Sequence, residues 1–270
     1  AHLEALVASA PRVGLGAAHD AGAPGSGSEW RETAWLAAVA WPGRVAERFQ
    51  SRIAILVGGA LLVGPTALGW LALAFGLADV LLLFSNSIAA VLWSRGATPA
   101  DHHRGLRLMS ATGVVGGVAL VALSPWVVPL VFGEEFRGAV GALAFAVPGT
   151  WAFAMIQSGA PRLTQARQQA RLSVATVLGF SVSVGACLLG FTGVAAGSAG
   201  SGFNLPVEVA ARAGALGQSI GGLVAAALVL SRIRALDGVA WRDLLVPHAG
   251  DLAAFRGVLA RQRGADGRGG

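Results

Sequence analysis

Residues 108–132, LMSATGVVGGVALVALSPWVVPLVF, form an apolar run without a charged side chain. An α-helix needs about 20 mostly apolar residues to cross the hydrocarbon core of a bilayer, and this run is long enough. Directly after it the chain reads GEEFRG, with two glutamates and an arginine, and it becomes apolar again from residue 139. The pattern predicts two membrane-spanning helices joined by a short charged turn that lies outside the lipid.

The composition of the chain is typical of an integral membrane protein. Of its 270 residues, 54% are hydrophobic and only 13% are charged, which is about half the charged fraction of a soluble domain. All 20 basic residues are arginine, and they lie between apolar segments rather than in one basic patch. We therefore expect membrane lipids, and not nucleic acid, as partners. The single cysteine, Cys187, excludes a disulfide within the chain.

Six apolar segments predict an all-α bundle of six membrane spans, at about residues 53–73, 75–93, 108–132, 139–159, 172–194 and 213–231. An uncharged turn is expected between the first two spans, near Gly69–Gly76, with Pro65 bending the first helix. Residues 1–29 are predicted to be a flexible or fragment-derived segment. Residues 30–52 are predicted to be an interfacial amphipathic segment, and residues 236–270 a cytoplasmic amphipathic tail.

Arginine-rich and arginine-poor connections alternate in this six-span arrangement. Three arginines lie close before the first span, three lie between the second and third spans, three between the fourth and fifth, and three close after the sixth (Arg44, Arg48, Arg52; Arg95, Arg104, Arg107; Arg162, Arg167, Arg171; Arg232, Arg234, Arg242). The other three connections contain at most one arginine each. Cytoplasmic loops are enriched in basic residues, so the pattern predicts a multi-pass protein of the cytoplasmic (inner) membrane with both termini in the cytoplasm. A five-span count breaks the alternation.

Asp79 is the one acidic residue inside a predicted span. An intramembrane carboxylate is a candidate for coupling to a cation or a proton. The alternative is that Asp79 stabilises the start of the second span near the outer interface, where the helix dipole favours an acid. Asn86, Gln157 and Gln218 are candidate polar residues of a hydrated cavity, or they form hydrogen bonds between helices.

Arg162, Arg167 and Arg171 lie in the loop between the fourth and fifth spans. They are candidates for contact with a lipid-linked pyrophosphate or with anionic lipid at the cytoplasmic face, although positive-inside topology also accounts for them. His102 and His103 are expected in a solvated loop, because no second group of metal ligands accompanies them. Nucleotide-binding and nucleophile motifs are missing from the sequence, so we expect no cofactor, no metal and no enzymatic activity.

The stretch LSPWVVPLVFGEEFRGAVGALAFAVPGTWAFAMIQ, residues 123–157, resembles a passage of the polysaccharide flippases. These form the Wzx-like branch of the superfamily that also contains the MATE exporters and the lipid II flippases. In that passage a proline-containing helix ends in a turn, which is matched here by Phe132, Gly133, Glu135 and Phe136. The later segments RLTQARQQARLSV and ARAGALGQSIGGLVAAALVLSRIR are also similar to the family, and the similarity covers about residues 44–255.

The resemblance implies that the six spans form the C-terminal lobe of a two-lobe flippase, whose partner is a missing N-terminal lobe or a second protomer. It implies a polyprenyl-pyrophosphate-linked oligosaccharide as substrate, moved to the outer face by alternating access for cell-surface polysaccharide biosynthesis. Two alternatives stay open. One is a MATE-like, cation-coupled exporter of small molecules, and the other is a non-catalytic membrane subunit of an envelope glycan assembly complex.

Overall fold

The structure is a computed structural model, which describes residues 27–61, 63–83, 87, 98–198, 207–248, 250 and 251. Within these residues all regular structure is helical, as the sequence predicts. The longer helices are α1 (Gly27–Gln50), α3 (Pro65–Ala78), α4 (Pro99–Phe132), α5 (Ala139–Gln165), α6 (Gln169–Ser198) and α7 (Val207–Asp237). The short helices are α2 (Ile53–Ala60) and α8 (Trp241–Leu245), and a 3-10 turn covers Glu134–Phe136.

Among the described residues, five helical segments are long and apolar enough to cross a membrane: Pro65–Leu83, Pro99–Phe132, Ala139–Gln165, Gln169–Ala196 and Val207–Asp237. The protein is therefore a multi-pass membrane protein by its architecture. α2 has only eight residues and is too short to cross a bilayer alone. The predictions for residues 1–26 and for the chain beyond residue 251 lie outside the described residues.

The division of residues 53–93 into two spans is wrong in its boundary. The turn expected near Gly69–Gly76 does not form, because α3 runs without a break from Pro65 to Ala78. Pro65 begins this helix instead of bending one, since the first helical turn tolerates a missing N–H and its fixed φ suits the helix. A Cβ at Gly69 or Gly76 would meet no atom within 4 Å, so both glycines lie in the helix and face open space.

The ends of α4 are set by two residues with suitable local chemistry. Thr98 forms a capping box with Asp101: the Thr98 hydroxyl accepts from the Asp101 N–H (3.3 Å), and the Asp101 carboxylate accepts from the Thr98 N–H (3.0 Å). At the other end, Gly133 has a φ of +100°, which residues with a side chain rarely adopt. α4 therefore starts nine residues before the predicted span, at Pro99, and stops at the glycine.

α7 is the central helix of the bundle and packs along both α5 and α6. Between Ala210 and Ala226 its buried residues are all small apart from Gln218. Gly217 lies against the backbone of Cys187, and Gly221 lies against Gly179 and Ser183. Small residues let helix backbones approach closely in membranes, where interhelical packing replaces the hydrophobic effect as the driving force. The centre of the bundle is therefore held by backbone proximity rather than by large side chains.

α1 and α2 lie end to end along α6. Gly43 of α1 contacts Ser173, and Gly58 of α2 contacts Phe191. These two positions on α6 are 18 residues apart, or about 27 Å along a helix, close to the hydrocarbon thickness of about 30 Å. The two pieces together cover about the length of one span, but they overlap the predicted first span, residues 53–73, only over residues 53–60. From Gly43 onwards, the segment predicted to be interfacial is part of the bundle.

Candidate functional site

α1 and α2 meet at Ser51 and Arg52, and one side chain of α7 bonds to the chain on both sides of this break. The Gln218 amide oxygen accepts a hydrogen bond from the backbone N–H of Ala54 (3.3 Å). The Gln218 NH2 group donates to the backbone carbonyl of Ser51 (3.1 Å). Backbone groups at helix ends have no partner within their helix, and inside a membrane such groups must be satisfied by the protein. Gln218 therefore satisfies both sides of the break.

Arg52 and Asp79 form an ion pair beside the break, with 2.9 Å between Nη2 and Oδ2. The two side chains are 47% and 33% exposed, so the pair lies at the surface of the described bundle. Asp79 is the C-cap of α3, and the chain is helical again from Val80 to Leu83, so the expectation that Asp79 stabilises the start of a helix stays a prediction. Arg52 supplies a positive charge beside the Asp79 carboxylate.

A small cleft opens between α1, α3, α5 and α7 at this level, with about 20 Å³ of space, room for about one water molecule. Its polar lining consists of Gln50, Ser51, Asp79, Thr150 and Gln218. Gln50 is only 3% exposed, and neither atom of its amide has a hydrogen-bond partner within the described part of the chain. Native proteins rarely bury an unpaired amide, and those that occur often mark functional sites.

The break lies near the middle of the bundle. The backbone carbonyl of Gln218 accepts a hydrogen bond from Ser183 (3.2 Å), and Ser183 is halfway along α6. The contacts of Gly43 and Gly58 bracket the break on either side along the same helix. The cleft is therefore near the middle of the bundle and not at either end of it.

The structure brings two of the predicted site residues together and separates a third. Asp79 and Gln218 line the same cleft, and Gln218 also makes the hydrogen bonds between helices that were the alternative to a cavity role. Gln157 is on α5 about two turns beyond Thr150, and it does not line the cleft. Its side chain is half-buried, and its amide oxygen has no hydrogen-bond partner among the described residues. Asn86 lies outside the residues that the structure describes.

The three arginines predicted to contact phosphate do not form one open anion site. Arg162 is held by the carboxylate of Asp237. Arg171 donates to the Gln168 side-chain oxygen (3.2 Å). Arg167 is exposed and has a φ of +56°. It is the one of these three arginines whose guanidinium has no protein partner in the described part of the chain.

His102 and His103 are not in a solvated loop, so that expectation is wrong. Both lie in the first turns of α4, and His102 has no exposed surface. The Nε2 atom of His102 is 3.1 Å from the Gln165 side-chain oxygen, and the Nε2 atom of His103 is 2.7 Å from an Asp237 carboxylate oxygen. Because α4 begins at Pro99, the two histidines connect its start to the ends of α5 and α7.

The turn that carries the family resemblance packs against α3. The indole N–H of Trp70 donates to the backbone carbonyl of Glu135 (2.9 Å). The rings of Phe132 and Phe136 pack edge to face, with 6.4 Å between their centroids. Gly138 lies directly under the Trp70 ring, where a Cβ would overlap it. These residues are at the end of the bundle opposite Arg162, Arg171 and Arg232, and they are outside the cleft lining.

The segment after α7 is fastened to the arginine-rich end through Asp251. Arg107 of α4 donates two hydrogen bonds to the Asp251 carboxylate, each 2.7 Å long, and a third to the backbone carbonyl of Asp243 (2.8 Å). Asp251 is 2% exposed. The Arg107 guanidinium holds the pKa of the Asp251 carboxyl well below its usual range. The predicted tail therefore folds back onto α4, at least as far as Asp251.

Asp251→Asn is expected to release residues 238–251 from α4, at a cost of about 3 kcal/mol, because it leaves the mostly buried Arg107 without a charged partner. A carboxyl whose folded pKa lies below its unfolded value stabilises the fold above about pH 4, and that contribution disappears only as the pH falls through the folded pKa. Hydrogen-exchange protection of residues 241–248, corrected for intrinsic rates, should therefore be constant from pH 8 to pH 5 in the wild type and low in the variant. Asp243→Asn, at a more exposed carboxylate, is the control. Full protection in Asp251→Asn would contradict the assignment.

Comparison of the chain with family models, curated proteins and solved structures finds no match. The site is thus characterised by its own geometry. Sequence reasoning missed Gln50, Ser51, Arg52 and Thr150. The available signal was the polar run QSR directly before an apolar segment, but this pattern is the same whether the polar residues lead into a span or interrupt one.

Proposed function

We propose that the chain is one bundle of a membrane transporter that works by alternating access, and that the break between α1 and α2 is its working site. The observation that carries the proposal is the bonding of Gln218 to both half-helices at mid-height. Secondary transporters typically build their sites near the bilayer midplane from discontinuous helices. Irregular backbone at this depth is tolerated only where it is buried or lines a cavity.

The proposed cargo is a lipid-linked oligosaccharide on a polyprenyl pyrophosphate carrier, carried to the outer face for cell-surface polysaccharide biosynthesis. The support for this cargo is the resemblance of residues 123–157 to the polysaccharide flippases. The cleft has room for about one water molecule, so a sugar needs a path that a second bundle completes. The lipid tail stays in the bilayer, and Arg167 offers an open guanidinium for the pyrophosphate at the arginine-rich end.

The proposed location is the cytoplasmic membrane, with the arginine-rich end and both termini in the cytoplasm. Contacts at that end join the start of α4, the end of α5 and the end of α7, through the His103–Asp237 and Arg162–Asp237 pairs. Arg232 and Arg171 both bond to Gln168 at the same end. This concentration of arginines on one side of the bundle supports the orientation by the positive-inside rule.

A cation-coupled exporter is the second candidate, and the oxygen-rich lining of the cleft favours it. Asp79, Ser51, Thr150 and Gln50 all carry side-chain oxygens there. Arg52 opposes it, because its guanidinium already neutralises Asp79 and repels another cation. Asp79→Asn separates the two candidates: transport that continues in this variant excludes coupling through Asp79, and transport that loses its cation dependence supports it.

Gln50→Leu tests the proposed function by separating activity from stability. The substitution removes a buried amide that makes no hydrogen bond within the described chain, so the melting temperature is expected to stay the same or rise. Transport is expected to fall at least about tenfold. Polar side chains inside a membrane are costly in free energy, and those that occur usually serve function. The assay is restoration of surface polysaccharide in a flippase-deficient strain by the full reading frame, at matched amounts of membrane-inserted protein.

Gln157→Leu is the matched control, because it removes a half-buried amide from α5 outside the cleft. It should restore surface polysaccharide as well as the wild type. Full activity of Gln50→Leu would remove the cleft from the mechanism. Failure of the wild type to restore any surface polysaccharide, despite correct insertion, would instead favour a non-transport subunit of an envelope glycan complex.

A further inference from the structure

We propose that the surface around the Arg52–Asp79 ion pair binds a second copy of this chain, with both copies in the same orientation, and that the two copies together enclose the path of the cargo. The proposal rests on the proposed function, because a transporter needs protein on both sides of the path of its cargo. It identifies a second copy of the chain as the protein on the other side. We call this surface the Arg52–Asp79 face and define it by Phe49, Arg52, Leu56, Gly76, Asp79 and Val80.

Lipid cannot cover the Arg52–Asp79 face without a large cost. The ion pair is at mid-height, and its side chains are 47% and 33% exposed on the described bundle. Ionisable side chains at this depth face the interior of a bundle or a water-filled cavity, because the hydrocarbon solvates neither charge. The polar cleft opens at the same place, with Asp79 in its lining. Protein must therefore stand opposite this face and enclose any water that reaches it.

The rest of the face has the composition of a helix–helix contact in a membrane. Phe49 precedes the break and Leu56 follows it, three and four residues from Arg52, and both are about half exposed. On α3, Ala72 and Gly76 are exposed four residues apart, and a Cβ at Gly76 would meet nothing within 4 Å. Two small residues at this spacing let a second helix approach closely. The face therefore combines a charged centre with apolar and small residues that another helix can pack against.

A second copy is the partner that fits these charges. A two-fold axis brings the same patch of both copies together, so the patch must be complementary to itself. A patch of one sign repels its copy, whereas Arg52 and Asp79 place one charge of each sign side by side. With the axis along the membrane normal, both arginine-rich ends stay on the same side, as the positive-inside rule requires. Each Arg52 then faces the Asp79 of the other copy at the same depth.

α4 provides the contrasting surface within the same bundle. Only 17% of its most apolar window is buried, and Val115 and Leu130 are largely exposed on it. No charged residue occurs between residues 108 and 132. An outer surface of this composition is what lipid covers, so α4 supplies control positions for a contact test.

Cysteine cross-linking in native membranes tests the proposal. The background variant is Cys187→Ala, which removes the one natural cysteine. Gly76→Cys in this background should form a disulfide-linked dimer on oxidation, since residues near a two-fold axis approach their own copies to within disulfide reach. Val115→Cys on α4 should remain at the background level. A monomeric band for Gly76→Cys, equal to that of Val115→Cys, would overturn the second-copy proposal and indicate that another bundle covers this face.

Charge exchange tests the pairing itself. Arg52→Asp places two acids on the face and Asp79→Arg places two bases on it, so either variant alone should lose the cross-linked dimer at least about tenfold through like-charge repulsion. Co-expression of the two variants with different tags should restore a mixed dimer, because the copy with two acids meets the copy with two bases. The mixed dimer also shows that both variants fold. Equal cross-linking of the variants alone and in mixture would contradict charge pairing across the axis.

Because cross-linking does not depend on transport, the two proposals fail separately. Dimers without restored surface polysaccharide would reject the proposed cargo and leave the interface in place. Restored surface polysaccharide from a chain that never cross-links would reject the second copy and leave the transporter in place.

Discussion

Gln218→Met should lower the free energy of unfolding by about 3 kcal/mol or more and abolish transport. Methionine keeps the approximate size of the side chain, so packing changes little, but it cannot bond to the Ala54 N–H or to the Ser51 carbonyl. Each buried backbone group left unpaired costs about 1–3 kcal/mol, and this substitution creates two at one place. The stability is measured by reversible unfolding in mixed micelles, and the activity by the surface polysaccharide assay.

The control for this prediction is Gln157→Met on α5. It makes the same chemical change at an amide whose oxygen has no described partner, so both stability and activity should stay near those of the wild type. A Gln218→Met protein as stable as the Gln157→Met protein would show that the break finds other hydrogen-bond partners. In that case Gln218 would not be the residue that joins the half-helices.

Gly221→Ala is expected to force α7 away from α6 and to destabilise the bundle by about 3 kcal/mol, the upper end of the usual overpacking cost. The added Cβ would overlap the Gly179 carbonyl oxygen and would lie 2.5 Å from the Ser183 backbone nitrogen. Backbone atoms cannot rotate away as a side chain can, so the two helices must separate. Gln218 is one turn away on α7, and its hydrogen bonds to the break should therefore lengthen as well.

Gly185→Ala is the matched control on α6. A Cβ at this position meets nothing within 4 Å, and alanine is a better helix former than glycine by about 0.5–1 kcal/mol. This variant should be slightly more stable than the wild type. Equal stability of Gly221→Ala and Gly185→Ala would show that the contact between α6 and α7 can expand without cost.

The sequence predicts the class of fold because the preference of each residue for water or lipid does not depend on the tertiary structure. A long run without charge, such as residues 108–132, has to be a helix in lipid, whatever its neighbours are. The position of helix ends is less predictable. Pro65 is compatible with either the bend of a helix or its first turn, and the start of α4 at Pro99 depends on the capping box of Thr98 and Asp101.

The candidate site is predictable only in part, because it is formed by partners far apart in the chain. Asp79 and Gln218 are noticeable in the sequence as polar residues in apolar surroundings, and both line the cleft. Arg52 and Gln50 are not noticeable, because residues just before an apolar run are expected to be polar. What gives them a role is the break at Ser51, and that break forms where α7 supplies an amide from 164 or more residues away.

The double bonding of Gln218 has a consequence for the kinetics of the bundle. The two hydrogen bonds come from one planar amide, so a turn of one half-helix against the other has to break at least one of them. In the proposed transporter, the amide would have to exchange partners whenever the half-helices turn, and this exchange would add a barrier to that motion.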